Sequence, residues 1–280
     1  SKLGGSPIYS LVALDIDGTM IGEDRIVTDE LKTAIDRVQS TGAFVSIATG
    51  RTLTPALRIA RESGAAGPVI CFQGAMTYEQ ESNTTVRHEM LGAAESEIAI
   101  KTMSRVVSEL MMFLGNDVWV EKRSEWTDGY GQRMGVDIRD TDSLLEMSDR
   151  CPTAIVGVGD PEIIEPLVHD LHSRMNGTAL VTHSLPMFCE VEAIGAGKDL
   201  AIESLTASLG IDQQSVIAVG DGKGDQSMIE WAGLGVAIEG GHPDAVDVSD
   251  LVIATPEQSG LVNFLNDLVD RRMFAGSNSL

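Results

Sequence analysis

Residues 8–19 read Ile8-Tyr9-Ser10-Leu11-Val12-Ala13-Leu14-Asp15-Ile16-Asp17-Gly18-Thr19. A short apolar run that stops on turn residues has the pattern of a strand buried on both faces of a parallel sheet, although one such run alone also fits a helix segment. The next stretch of chain settles the choice. Thr28 is placed to cap a helix over 29–40, with Asp29 and Glu30 in its first turn and Leu31, Ala34, Ile35 and Val38 at helical spacing. A second apolar run at 44–48 ends on Thr49-Gly50-Arg51, and a helix over 55–63 and a strand at 69–72 come next. This βαβαβ alternation predicts a doubly wound sheet with right-handed crossovers.

From about 81 to 187 the character changes. A helical pattern covers 96–112, a strand 118–121, and a polar, Gly-containing stretch 124–135; a strand at 153–159, a helix at 161–175 and a strand at 179–182 come after it. Two helices among several strands predict an α+β insertion with a small sheet of its own. The first pattern then resumes with a helix at 199–209, a strand at 215–219, a loop at 220–225 and a helix through Trp231. Strands at 234–237 and 251–253 and a helix at 261–269 close it. The chain thus reads as α/β: a Rossmann-like doubly wound parallel sheet core in two pieces, 8–81 and 188–272, with an α+β cap at 82–187. No internal repeat or low-complexity tract interrupts it.

Bulk composition narrows the function. A chain of 280 residues with 43% hydrophobic residues and mean hydropathy +0.05 has the balance of a globular protein with a sizeable core. No apolar stretch approaches the ~18 residues of a membrane span. Residues 1–7 lack the apolar segment of a secretory signal and read as a leader, and 276–280 as a fraying tail. Cys71, Cys151 and Cys189 form no CxxC pair, which argues against a disulfide framework and a zinc site and fits reduced thiols in a cytoplasmic compartment. A formal charge of −22 opposes nucleic-acid binding, and most of it reads as solvated surface. An acidic protein still binds a phosphate ester where a metal and a few local donors invert the field.

In an open α/β sheet, ligands bind beyond the carboxyl ends of the strands, and three informative loops fall at such ends. In the first, Asp15 and Asp17 stand two apart, a spacing that aims both carboxylates toward one spot, where a divalent cation would relieve their repulsion. In the second, Thr49 and Gly50 offer a hydroxyl and exposed amides ahead of a helix, a cradle for phosphate. In the third, Gly220-Asp221-Gly222-Lys223-Gly224-Asp225 lacks the GxGxxG of a dinucleotide loop, and its two carboxylates suit Mg²⁺ better. Lys198, after Gly195-Ala196-Gly197, could hold charge on both a carboxylate and a phosphate. Taken singly, each loop also reads as an ordinary Gly/Asp turn and Lys198 as a surface lysine. Their order along one sheet makes the case.

Together these pieces resemble the haloacid-dehalogenase superfamily of phosphatases. Asp15-Ile16-Asp17-Gly18-Thr19 matches its DxDGT motif in full, Thr49-Gly50-Arg51 resembles the second motif, Lys198 the third, and 220–225 the Gly-Asp…Asp fourth. Residues 232–238 resemble the segment just beyond that fourth motif. A cap between the second and third motifs resembles the Cof-type subgroup. Two departures stand out: Gly224 occupies a place where that subgroup usually has Asn, and Gln73 another. The longer amide of Gln73 is therefore a candidate to reach the space beside Gly224.

The resemblance implies a Mg²⁺-dependent hydrolase of small phosphate monoesters. Asp15 would be the nucleophile and Asp17 the acid and base, with Lys198 neutralising charge. Thr49, Gly50 and Lys198 would bind phosphate, and Arg51 would brace the loop or meet the substrate. The metal would be held by the Asp15 carboxylate, the Asp17 carbonyl, Asp221 and, through water, Asp225. The partner implied is a small phosphorylated metabolite, with no role for nucleic acid or membrane. Residues 121–133 and 183–188 of the cap are candidates for substrate contact. A phosphomutase, a phospho-acceptor receiver module and a plain phosphate-binding protein share parts of this pattern. A receiver is only about half this length and needs no inserted cap.

Overall fold

The computed structural model describes residues 9–183 and 185–275, so the expected leader at 1–7 and tail at 276–280 lie outside the described residues. The chain opens with β1 (Leu11–Leu14), α1 (Asp29–Gln39), β2 (Phe44–Ala48), α2 (Leu53–Ser63), β3 (Val69–Cys71), β4 (Met76–Glu79) and β5 (Thr84–His88). It continues through α3 (Ala93–Met103), β6 (Glu109–Leu114), β7 (Asp117–Val120), α4 (Glu125–Met134) and β8 (Asp137–Asp140). Next come β9 (Ala154–Val158), α5 (Pro161–Met175), β10 (Ala179–Thr182) and β11 (Phe188–Ala193). The last stretch holds α6 (Lys198–Leu209), β12 (Val216–Gly220), α7 (Gln226–Trp231), β13 (Leu234–Ile238), α8 (Pro243–Val248), β14 (Leu251–Ile253) and α9 (Gly260–Asp270).

Contacts divide these elements into two units, one of residues up to 51, 56–86 and from 197 on, the other of 52–55 and 87–196. The first unit is built on an eight-stranded sheet in the order β14-β13-β12-β1-β2-β3-β4-β5. β1 is central and parallel to both β2 and β12. The winding runs outward from it in opposite directions, to β2 and β3 on one side and to β12, β13 and β14 on the other. β1 and β12 are buried along their whole length, which is why their sequences read as unbroken apolar runs. The Thr28 hydroxyl accepts from the Leu31 amide at 3.2 Å and starts α1 as its sequence requires.

The second unit has a six-stranded sheet, β10-β11-β9-β6-β7-β8, antiparallel except for the parallel β7–β8 pair. Met103, Met112, Ile155, Ile164, Leu171 and Val191 belong to its core, against which α3 and α5 pack. It departs from the expected layout in three places. The helical pattern at 96–112 breaks after Met103, and Glu109–Leu114 is a strand paired on both edges. The polar stretch 124–135 is a helix, started by reciprocal Ser124–Thr127 bonds and ended by Gly135 at φ 65. β11 pairs with β9 and β10, which carries this unit through Ala196 instead of ending it at 187.

Candidate active site

β12, β1, β2 and β3 run parallel, so their carboxyl ends open on one edge of the sheet. Leu14 pairs with both Val219 and Ile47. That register sets the residues just beyond each strand, Asp15, Thr49 and Asp221, at neighbouring strand ends. The chain turns sharply after β1, where the Ile16 carbonyl accepts from the Met20 and Ile21 amides. Gly18 makes the turn at φ 78, and a side chain there would collide with the Asp221 carboxylate.

Asp15 is buried, and Lys198 Nζ donates to its Oδ1 at 2.7 Å and to Asp225 Oδ1 at 2.5 Å. Asp225 Oδ2 accepts the amides of Asp221 at 3.0 Å and Gly222 at 2.8 Å. Gly220 leaves the volume that Asp225 fills, since a Cβ at 220 would lie 2.5 Å from Asp225 Cγ. Thr19 Oγ1 donates to Asp221 Oδ1 at 2.9 Å. Sequence spacing alone assigns Thr19 no partner. Its hydroxyl, four residues beyond Asp15, is the signal that could have found it.

Burial pushes the Asp15 carboxyl up to about 8, with Asp225 and Asp221 adding to it and Lys198 pulling it down. Burial, then Asp225, raises Asp221 to about 6 against the pull of Thr19 and Lys198. Lys198 is buried as well, but Asp15 and Asp225 outweigh that penalty and hold its ammonium charge firmly. Oxygens of Asp15, Asp221 and Asp225 lie within 4.8 Å of one another, so three carboxylates face one ammonium. The imbalance of two negative charges, presented by hard oxygen donors, fits a divalent metal ion.

Asp15, Lys198, Asp221 and Asp225 are therefore brought together; the Asp17 carboxylate, near enough to act on Asp221, is not one of the clustered oxygens. This exposed carboxylate is gripped by Arg51, Nε to Oδ2 at 2.7 Å and Nη2 to Oδ1 at 2.6 Å. Asp17 itself lies beyond the end of β1, where the backbone is already turning at Ile16. Thr49 is buried, its amide bonded to the Ile70 carbonyl at 2.9 Å and its Oγ1 accepting from the Arg51 amide at 3.2 Å. Lys223 is exposed. In the second unit, the two stretches expected to meet substrate touch each other: Trp126 stacks on Tyr130 and meets Phe188 edge-on, with centroids 6.3 Å apart. Ser184, within the second of these stretches, lies outside the described residues.

A buried carboxylate cluster held by one lysine does little for stability, since apolar side chains of equal volume would pack there at no greater cost. Its place at the sheet edge that binds ligands marks an enzyme. Residues 12–265 match the haloacid dehalogenase-like hydrolases, and the chain belongs to that family. It is 27% identical over 263 residues to a 5-amino-6-(5-phospho-D-ribitylamino)uracil phosphatase of Bacillus subtilis (strain 168), covering 92% of this chain and 95% of that one. It is 28% identical over 262 residues to a phosphoglycolate phosphatase of Methanopyrus kandleri, covering 93% and 97%. In fold it resembles a haloacid dehalogenase-like hydrolase from Bacteroides thetaiotaomicron, with a TM-score of 0.82, 23% identity, and 93% and 99% of the two chains covered. The enzyme is a phosphatase. No helix among the described residues is long and apolar enough to cross a membrane.

Proposed function

We propose that this phosphatase hydrolyses monoesters of small phosphorylated metabolites through a phospho-aspartate on Asp15, with Mg²⁺ as its ion, in the cytoplasm. The observation that carries the reading is the tether of buried Asp15 to Lys198 within a cluster suited to a divalent cation. The relatives support the class of substrate: one is named for a phosphorylated ribityl compound and another for phosphoglycolate.

Lys198 occupies Asp15 Oδ1 and leaves Oδ2 to attack phosphorus. The new O–P bond forms as the ester P–O bond breaks, and Asp17 gives its proton to the departing alcohol. Asp17, now a carboxylate, takes a proton from the water that attacks the phospho-aspartate, releasing inorganic phosphate and Asp15. Arg51 orients the Asp17 carboxylate through two hydrogen bonds. Asp17 must part from Arg51 to serve as the acid of the first. Thr49 and the Gly50 amide hold the phosphoryl oxygens, and Lys198 neutralises charge on them and on Asp15. Asp15, Asp221 and the Asp17 carbonyl would hold Mg²⁺, with Asp225 bracing that loop. The ion supplies the positive charge that keeps Asp15 ionised and stabilises the transferring group.

Turnover of p-nitrophenyl phosphate with Mg²⁺, abolished by chelation and restored by the ion, is the expected result. Labelling by acetyl phosphate without sustained turnover would instead support a phospho-acceptor module.

A further inference from the structure

The chain leaves β3 through Phe72 and Gln73, which both adopt left-handed backbone, at φ 49 and φ 50. Two successive non-glycine residues in that region are strained, and such strain persists only where the surroundings enforce it. Here they do. The Phe72 amide donates to the Arg51 carbonyl at 2.9 Å and the Gln73 amide to the Thr49 carbonyl at 3.2 Å. Gly74, at φ 99, lies so close to the Gly197 backbone that no side chain fits between them. Gln73 is thereby pinned between the Thr49–Arg51 loop and the residue preceding Lys198.

Its side chain is aimed with equal care. The carboxamide lies over Gly50, where a Cβ would overlap Nε2, and beside Gly224, where a Cβ would stand 3.0 Å from Oε1. Two glycines thus clear a floor for this amide between the two loops of the site. Gln73 is half-buried, and its carboxamide makes no hydrogen bond to another described residue. A polar group held in place at the expense of backbone strain, between the loops that carry Thr49 and Asp225, is built to meet something from outside.

We propose that Gln73 is a phosphate-binding residue: its carboxamide N–H donates to an oxygen of the transferring phosphoryl group, and Gly50 and Gly224 are glycines to admit it. This rests on the phosphatase reading above. It adds a fourth strand end, that of β3, to the three that carry Asp15, Thr49 and Asp221.

The test measures inorganic phosphate binding by calorimetry with Mg²⁺ present, melting temperature, and KM and kcat on p-nitrophenyl phosphate. Gln73→Gly removes the amide and relieves the left-handed strain, so the melting temperature should hold or rise. The phosphate Kd and KM should both rise roughly tenfold, the loss expected for one hydrogen bond to a charged group. Gln73→Glu keeps the length but sets a carboxylate against phosphate, and should weaken binding further. Gly224→Asn puts a second amide in the same space, so Gln73→Gly in that background should cost less than about threefold. A Gln73→Gly enzyme that binds phosphate within twofold of wild type, or effects that multiply in the double variant, would overturn the assignment while leaving the phosphatase reading intact. A wild-type protein that neither binds phosphate nor turns over would overturn both.

Discussion

Asp221 and Asp225 differ in how much of each carboxylate is already committed. Asp225 is 2% exposed and engages both oxygens, one with Lys198 and one with two amides. Asp221 accepts a side-chain bond from Thr19 and keeps an oxygen open. Asp221→Ala should therefore raise the Mg²⁺ concentration for half-maximal rate severalfold, with partial rescue by excess ion and little change in melting temperature. Asp225→Asn leaves one acceptor oxygen where two are used, so its NH2 must face either the Lys198 ammonium or the two amides, which costs ~1–3 kcal/mol of stability as well as activity. Equal melting temperatures for the two variants would contradict that division. The Asp17 carboxylate is engaged by Arg51 and is not among the clustered oxygens, so Asp17→Asn should lower kcat by orders of magnitude while Mg²⁺ affinity by titration stays near the wild-type value. Asp15 and Asp221 were legible in sequence because they stand directly beyond β1 and β12, at strand ends, whereas Asp225 lies deeper in its loop and carries no such mark. The grip of Arg51 on Asp17 was not legible, because it joins two loops that are distant in sequence.

β6 shows where element-level reading gives way. Leu110, Met111 and Met112 are good helix formers and continue the spacing of α3, yet they lie between β9 and β7. A hairpin with β7 and pairing with β9, distant in sequence, override a local preference that pointed the other way. α4 misled in reverse, since Gly129 and Gly131 weaken helix propensity while caps at both ends enforce the helix. Met112 is fully buried, and Met112→Ala should destabilise the protein by ~2–5 kcal/mol in chemical denaturation. β11 carries a second consequence. Glu192 is buried with Oε2 unpartnered among the described residues, and burial, then Glu190, raises its carboxyl well above 4.5. Folded Glu192 keeps its proton at pH values where the unfolded chain has lost it. Its share of stability is thus intact below pH 4.5 and lost as pH climbs from there toward the folded value, by up to about 1.4 kcal/mol per pH unit. Glu192→Gln should flatten that decline in denaturation midpoints measured from pH 5 upward; parallel profiles for the two proteins would contradict it.

At the scale of the molecule, one unit carries the Asp15–Lys198–Asp221–Asp225 cluster and the other is an insertion between β5 and α6. The first was readable because a parallel α/β sheet announces itself through alternating apolar runs and local helices. The second is mostly antiparallel, and its pairings leave weaker marks on the sequence. Relatives named for different esters across nearly the same length imply that selectivity lies outside the shared motifs. Replacing 87–196 by a short linker should leave Mg²⁺ and phosphate binding in place and flatten the ranking among sugar phosphates, phosphoglycolate and ribityl phosphates. A shortened enzyme with the original ranking would locate selectivity in the first unit. The most direct measurement is chemical. Enzyme mixed with a phosphate monoester and Mg²⁺, quenched in acid within one turnover and digested, should carry one hydroxylamine-labile phosphoryl group, on the peptide containing Asp15. Asp15→Asn should carry none and turn over roughly 10⁴-fold more slowly. A phosphoryl group on another residue, or near-normal turnover by Asp15→Asn, would contradict the phospho-aspartate.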